Sequence, residues 1–282
     1  MILRTLLLCS LAGAALAAGV NAPNLTVQQI VERNAAARGG QGAWQRVHSM
    51  TLAGKMDAGK QRKDGGEIAN TTLKTRAQAR AEARLALLKP SQAAAVKVIQ
   101  LPFEMSLERP VKLRLEVPFQ GQTAVQVYDG KNGWKLRPFL GRHEVESYTA
   151  QEIKLAASQQ ELDGALINYA AKGTTVALDG VESVDGHAAY KLKLTLKDGN
   201  IRHLWIDAQT FLDAKVEGAP RRWDGKMRTV ATYFHDYKSV SGLMIAHRLE
   251  TRIEGVSGAE NIYVDRVALN PTLAASVFAK PM

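Results

Sequence analysis

HAAYKLKLTLKDGNIRHLWID, residues 187–207, is the stretch that decides the fold class of this chain. Apolar and polar side chains alternate on both sides of a turn signal at residues 198–200, and a period of two is typical of β-strands with one buried face. Two such strands joined by a short turn form a β-hairpin. The sequence therefore predicts an antiparallel sheet.

The same alternation extends through most of the chain in both directions. Towards the C-terminus it returns in four further runs, at residues 210–218, 226–238, 243–255 and 260–270. Towards the N-terminus it occupies residues 97–129, where Pro102, Pro110 and Pro118 mark edges or breaks between strands. About ten to twelve strands result, and a sheet of that size curls rather than staying flat. We expect a mainly β (α+β) fold with one concave face.

Two segments of the sequence predict helices. Residues 26–38 begin with a capping box, Thr26 and Gln29, and end before Gly39. The apolar side of this helix must contact either the core or a ligand; it consists of Val27, Ile30 and Val31. A strand is predicted over residues 43–56, directly after this helix.

The second helical segment lies between residues 149 and 169, as one or two helices broken near Gly164. We expect both segments to lie over the concave face as a lid and to enclose an apolar cavity. Such cavities are typical binding sites for small molecules and lipids. Residues 57–91 are polar and contain a predicted helix, and we interpret them as a surface insertion.

The first 17 residues have the layout of a secretory signal peptide. Arg4 precedes an apolar run, and small residues lead to cleavage after Ala17 or, as the next candidate, Ala18. Cys9 follows Leu8 rather than a small residue, which disfavours a lipid anchor. Residues 18–282 are then predicted to form a single domain in the periplasm, without a thiol for a disulfide or nucleophile.

The charge of the chain is positive, with 37 lysines and arginines against 27 acidic residues. A net charge of +10 attracts anionic partners at low ionic strength. The basic residues are scattered, however, and the densest group, residues 76–84, has the pattern of a solvated helix face. We expect no nucleic acid partner.

No motif in the sequence indicates catalysis or a metal. The six histidines include no pair three or four residues apart, as a zinc site would usually need. There is no Gly-x-Ser-x-Gly turn and no glycine-rich phosphate loop ahead of a helix. Glu144 and Glu146 could serve as acid and base, but their pattern is that of solvated strand residues. We expect no catalytic residue, metal or cofactor.

Apolar residues of the first helix and large aromatic residues of the strands are the candidates for the wall of a ligand cavity. The alternative is ordinary core packing, because a register slip of one residue exchanges the two faces of a strand. The candidates are Val27, Ile30, Val31, Trp44, Trp134, Trp205 and Phe234.

Several stretches, taken together, resemble the LolA/LolB-like family of periplasmic lipoprotein carriers, in particular outer membrane lipoprotein-sorting proteins. The resemblance rests on turns and strands across nearly the whole mature chain: VERNAAARGGQGAWQRVHSM, VYDGKNGW, ALDGVESVDGHAAYKLKLTLKDG, HLWIDAQT, YFHDYKSVSGLMIAHRLE and ALNPTLAASVFAKP. It implies an unclosed, strongly curved antiparallel half-barrel with an α-helical lid over an apolar cavity.

The resemblance also implies a function, namely binding of a lipoprotein or of lipid acyl chains without any reaction. The expected partners are those ligands, with transient contacts to membrane-bound proteins, and the expected state is a monomer. The insertion at residues 57–91 departs from the family pattern and leaves the cargo open. Two alternatives remain: an envelope-stress sensor or interaction module with the same fold, and an enzyme acting on lipid or cell-wall material.

Overall fold

The structure is a computed structural model that describes residues 22–61, 97–159 and 162–282. One antiparallel sheet of 13 strands dominates it. The strands are β1 (Ser49–Gln61), β2 (Lys97–Glu108), β3 (Lys112–Phe119), β4 (Gln122–Tyr128), β5 (Gly133–Arg137), β6 (Arg142–Ser147), β7 (Thr175–Val184), β8 (His187–Thr195), β9 (Ile201–Asp207), β10 (Asp213–Trp223), β11 (Lys226–Val240), β12 (Leu243–Ile253) and β13 (Glu260–Leu269). The helices are α1 (Val27–Ala37), α2 (Gln41–Gln45) and α3 (Ala150–Gln159), with two 3₁₀ turns at Pro138–Leu140 and Ala275–Phe278.

Strand order in the sheet follows the chain except at one place. The order is β6-β5-β4-β3-β2-β1-β13-β12-β11-β10-β9-β8-β7, so only β1 and β13 are neighbours without being consecutive among the described strands. The sheet thus has two arms, β1–β6 and β7–β13, joined by the β1–β13 pair. Strands β6 and β7 form its two edges, and the sheet is not closed. The half-barrel expected from the sequence is confirmed.

The hairpin predicted at residues 187–207 forms as β8 and β9. Leu192 lies opposite Leu204, and Leu194 lies opposite Arg202. The three leucines are buried, with 0–3% of their surface exposed. Residues directly opposite in an antiparallel pair share a face of the sheet. These positions therefore define the inner, concave face of this arm.

Prolines interrupt the strands less than the sequence predicted. Pro102 lies inside β2, opposite Lys55 of β1, and Pro118 lies inside β3. A proline has no N–H and cannot donate a hydrogen bond to a neighbouring strand, so it suits a position where the strand is paired on one side only. Strand β3 pairs with β2 only from Glu104 onward, so β2 has a free edge at Pro102. The proline is tolerated there without a break in the strand.

Helix α1 is built as the sequence predicts. The Thr26 hydroxyl accepts a hydrogen bond from the backbone N–H of Gln29, and the side-chain oxygen of Gln29 accepts one from the backbone N–H of Thr26. The helix ends before Gly39, which has φ +104° and lies so close to Gly242 that a Cβ would stand 2.2 Å from its carbonyl oxygen. Only glycine fits at that approach.

Residues 43–45 were predicted as the start of a strand, and this prediction is wrong because they belong to α2. The Trp44 side chain is buried, and its indole nitrogen donates to the carbonyl of Arg38. This bond holds the chain against the end of α1, so that the strand begins only at Ser49. Strand β1 then continues to Gln61, into the predicted insertion. The predicted signal peptide, the predicted helix near residues 73–88 and the rest of the predicted insertion lie outside the described residues.

Helix α3 begins with the predicted capping box, in which Thr149 and Glu152 exchange hydrogen bonds. No second helix follows it among the described residues, because residues 162–173 form turns. We call these residues the covering segment. Leu166 of this segment and Ile30 of α1 pack with the inner faces of β8 and β9 as one buried cluster.

Candidate functional site

A cavity of about 380 Å³ lies between the inner face of the sheet and the covering segment. Its volume falls within the range of roughly 300–1,000 Å³ typical of ligand sites. Leu162, Gly164, Ala165 and Trp44 contribute from the helical side. The sheet contributes apolar side chains from both arms, among them Leu52, Phe103, Met105, Leu107, Leu249, Ile262 and Val264. We call this space the apolar cavity.

The strands that line the apolar cavity show how strongly the sheet curves. Phe103 belongs to β2 and Leu204 to β9, and six strand intervals separate these strands in the sheet. In a flat sheet that separation would be about 29 Å, at ~4.8 Å for each interval. Because both side chains line one small cavity, the sheet must wrap around it.

Flexible side chains make up part of the wall. Met50, Met105 and Met244 all contact the apolar cavity. Methionine is unbranched and polarisable, and it adapts to ligands of different shape. Phe103 and Phe234 add flat apolar surface. The wall can therefore accept a hydrocarbon chain without a fixed outline.

The covering segment is attached to the sheet through the carboxylate of Asp163, which has 1% of its side chain exposed. One oxygen accepts a hydrogen bond from Arg109 at 2.8 Å, and the other accepts one from Lys172, also at 2.8 Å. Burial alone would raise the pKa of Asp163, but the bonds from Lys172 and Arg109 outweigh it and lower that pKa. The segment is held by an ionised group.

A second polar group lies at the rim of the apolar cavity, around Arg38. Its guanidinium donates to the backbone carbonyl of Asp163 at 2.8 Å, stands 3.9 Å from the carboxylate of Asp213 and lies over the ring of Trp44. Asn34 donates to the same Asp213 carboxylate at 2.9 Å. Arg38 is thus held by contacts within the protein.

Tyr237 completes this polar rim. Its hydroxyl donates to the backbone carbonyl of Asp213 at 2.9 Å. Burial, with a smaller contribution from the Asp213 carboxylate, raises the pKa of Tyr237 well above its ordinary value. The hydroxyl therefore remains protonated and acts as a fixed donor rather than as a base.

A second cavity, of about 470 Å³, adjoins the first. Ala165 and Arg202 line both of them. The second cavity is more polar, and its wall includes Lys172, Lys197 and Asp198. We call it the basic cavity. Together the two spaces form an apolar chamber with a charged neighbour.

The predicted cavity residues fall into three groups in the structure. Trp44 and Phe234 line the apolar cavity. Ile30 is fully buried in the core over β8 and β9, and Val27 and Val31 pack against that core from its margin. The remaining two residues lie on the outer face of the sheet: Trp134 and Trp205.

Each of these two tryptophans is covered on the outer face in its own way. Trp134 packs with Phe278 of the C-terminal 3₁₀ turn and with Val127. Trp205 alternates with the inward-facing Leu204 on β9, and the ammonium group of Lys215 lies 3.8 Å from the centre of its ring. Burial lowers the pKa of Lys215. Neither tryptophan contacts the apolar cavity.

Sequence reasoning missed most of the cavity wall. The alternation in β2 and β12 marked Phe103, Met105 and Leu249 as one-sided apolar residues, but it could not indicate which side faces the helices. The sequence analysis did not single out Arg38 or Arg202. The only available signal was the position of Arg202 in the alternation, two residues before Leu204.

Among the described residues, the polar groups that line the two cavities, such as Arg38, Asp213 and Tyr237, do not form a metal site. Across residues 22–61, 97–159 and 162–282, no three His, Cys, Asp or Glu side chains are arranged to hold a metal ion. Glu146 pairs with Arg137 at 2.7 Å on the edge hairpin. In the part of the chain that the structure describes, no helix is both long and apolar enough to cross a membrane.

Comparison with known proteins gives similarity at the level of structure alone. No protein-family model matches the sequence, and no curated protein matches it. A LolA superfamily protein from Nitrosomonas europaea superposes with a TM-score of 0.51 at 15% identity, over 91% of this chain and 99% of the other. A DUF1329 family protein from Desulfovibrio piger gives 0.51 at 12% identity, over 91% and 98%. The chain therefore has the fold of LolA superfamily proteins.

Proposed function

We propose that this chain is a carrier that binds the acyl chain of a lipoprotein or of another lipid and performs no reaction on it. The apolar cavity between the curved sheet and the covering segment is the observation that carries the proposal. The likeness to a LolA superfamily protein supports it at the level of the fold. The signal-peptide pattern supports action in the periplasm, and we further propose that the carrier is a monomer and binds no nucleic acid.

The energy of binding can be estimated from the hydrocarbon alone. Each methylene group removed from water contributes about 0.8 kcal/mol, so a chain of about fifteen gives ~12 kcal/mol. The loss of translational and rotational freedom costs about 4 kcal/mol or more, which leaves roughly 8 kcal/mol, a micromolar affinity. An acyl chain in the apolar cavity therefore binds reversibly, as a carrier requires.

A pair of neighbouring substitutions on β2 tests the proposal. Met105 faces the apolar cavity, whereas Glu104 is exposed on the other face of the same strand. Met105→Trp fills part of the cavity. We expect it to weaken binding of a fluorescent fatty-acid analogue at least about ten-fold, because about two methylene groups of the ligand can then no longer be buried. Glu104→Trp adds the same side chain outside and should leave the affinity unchanged.

Fluorescence titration gives the affinities, and thermal melting shows that both variants are folded. If the analogue binds the Met105→Trp protein as tightly as the wild type, the apolar cavity is not the site. If the folded wild-type protein binds no acyl chain and no lipoprotein at micromolar concentration, the carrier function is refuted. The interaction-module alternative then becomes the better hypothesis.

A further inference from the structure

Arg202 occupies an unusual position for a charged side chain. It lies on the inner face of β9, opposite the fully buried Leu194, in a row that continues with Leu204 and Ile206. It is partly buried and lines both the apolar cavity and the basic cavity. An arginine thus stands where the alternation of the strand calls for an apolar residue.

The guanidinium of Arg202 forms no hydrogen bond or ion pair with any of the described residues. The two other arginines near the cavity differ in this respect: Arg38 bonds to the carbonyl of Asp163, and Arg109 bonds to its carboxylate. A guanidinium carries five N–H donors, and those of Arg202 keep contact with solvent, so they remain available to a ligand. The fold therefore keeps a cation at this junction that none of the described residues neutralises.

The surroundings of Arg202 reinforce its positive charge. Lys197 lines the same basic cavity as a second cation, and Asp198 is its one acidic lining residue. Lys172 also lines this cavity, but its ammonium group is paired with Asp163. The Asp198 carboxylate is already engaged, since it accepts hydrogen bonds from Asn200 and stands 3.8 Å from Lys154. An anion entering the basic cavity would meet two cations, Arg202 and Lys197, that pair with no carboxylate of the described residues.

We infer that Arg202 binds the anionic head, a carboxylate or a phosphate, of an amphiphile whose hydrocarbon tail lies in the apolar cavity. This inference rests on the proposed carrier function and specifies its ligand class. The planar guanidinium matches both head groups, because it can donate two parallel hydrogen bonds to either. Ala165 and Arg202 lie at the junction of the two cavities, where head and tail of one ligand would meet.

Probes with one tail and different heads test the inference. We would compare palmitate, palmitoyl lysophosphatidic acid and the uncharged monopalmitoyl glycerol, each displacing a fluorescent acyl probe. The wild-type protein should bind at least one anionic probe roughly ten- to hundred-fold more tightly than the neutral one, the range expected for charge-assisted hydrogen bonds. Whether the carboxylate or the phosphate gains more identifies the head group.

Substitutions at Arg202 of β9 and at Lys193 of the neighbouring strand β8 complete the test. Arg202→Gln should reduce the affinity for the preferred anionic probe to that of the neutral probe, with no effect on the neutral probe itself. Arg202→Lys should retain part of the preference. Lys193→Gln removes one positive charge from the outer face of β8, where Lys193 is exposed, and should change nothing. Thermal melting of each variant shows that it is folded.

The outcomes separate the two proposals. If all probes bind equally and Arg202→Gln has no effect, the role of Arg202 is refuted while the carrier function stands. If an anionic preference persists in Arg202→Gln, the head group binds elsewhere and the inference is again refuted. If no probe binds to the wild-type protein, both proposals fail.

Discussion

At the scale of single residues, Asp163 shows how this protein fixes a non-helical segment over a sheet. Its carboxylate is shielded from solvent and neutralises two cations, Arg109 from the end of β2 and Lys172 from the covering segment itself. Those cations retain 30% and 22% of their side-chain exposure. The position of the covering segment therefore depends on one ionised group that reaches from the segment to the sheet.

Replacing Asp163 with asparagine should destabilise the protein because two cations then lose their common partner. Removal of one member of a buried ion pair costs about 3–5 kcal/mol. Arg109 and Lys172 can still contact water, so we expect the lower end, roughly 3 kcal/mol, measured as a shift of the urea midpoint at constant slope. Glu260→Gln, which breaks the exposed pair with Arg221, should cost less than about 1 kcal/mol.

The same interaction predicts a dependence on pH. Because folding lowers the pKa of Asp163 from its ordinary value of 3.8, the stabilisation is fully present above pH 3.8. It is lost as the pH falls from that value through the lowered pKa. The stability difference between wild type and Asp163→Asn should therefore shrink only below pH 3.8. A difference that stayed constant to the end of the acid range would contradict this role of the carboxylate.

At the scale of elements, the apolar face of helix α1 packs into the core and does not line the apolar cavity. Ile30 has no exposed surface, and it packs with Leu192, Leu194 and Leu204 rather than with the apolar cavity. Val27 and Val31 support it from the margin. The helix therefore stabilises the second arm of the sheet, and the binding space lies beside it.

Truncating Ile30 should consequently affect folding more than binding. Ile30→Ala removes buried methylene groups and leaves a void, which costs about 2–5 kcal/mol. Glu32→Ala, on the exposed side of α1, should stay within about 0.5 kcal/mol. Chemical denaturation measures both, and acyl-chain titration well below the melting temperature should give the wild-type affinity for each. A loss of affinity confined to Ile30→Ala would place Ile30 in the ligand site instead.

The elements also show how far a sequence of this kind predicts its own structure. Capping boxes at Thr26 and Thr149 and the alternation of the strands were sufficient for α1, α3 and the antiparallel sheet, because these signals are local. The start of β1 was predicted too early, because the turn into α2 depends on a hydrogen bond from Trp44 to Arg38.

The inner face of the sheet could not be predicted, because both faces carry large aromatic side chains. On the outer face, Trp205 and Tyr233 are covered by cations rather than by helices: Lys215 lies over Trp205, and Arg252 lies 3.9 Å from the centre of the Tyr233 ring. Aromatic content alone therefore does not distinguish a ligand wall from an outer face. The alternation of β9 put Arg202 on the same side of the strand as Leu204. Whether that side faces inward depends on the pairing with β8.

At the scale of the whole molecule, the β1–β13 pair joins two arms that are each a simple meander. The apolar cavity lies across this junction, since Phe103 and Met105 come from one arm and Leu249 and Ile262 from the other. Strands β6 and β7, in contrast, each have only one neighbour. Stability should therefore decrease from the junction and its cavity towards the two edges of the sheet.

Hydrogen exchange tests this gradient. We expect the amides of β13 and β12 to open only with global unfolding, and those of β6 to open at a free energy at least about 2 kcal/mol lower, because local openings span the whole range up to global stability. A saturating acyl ligand should slow exchange in β2 and β12 and leave β6 unchanged. Equal protection of β6 and β13 would contradict the gradient.

The pairing of Met50 with Leu269 also has a consequence for the order of events in folding. The hairpins within each arm join neighbouring parts of the chain and can close early, whereas this pair closes a loop that contains most of the protein, and long loops close at a higher entropic cost. The junction is therefore expected to form last. Because the cavity exists only after that step, the time at which a refolding chain first captures a fluorescent acyl probe would report the closure of the junction.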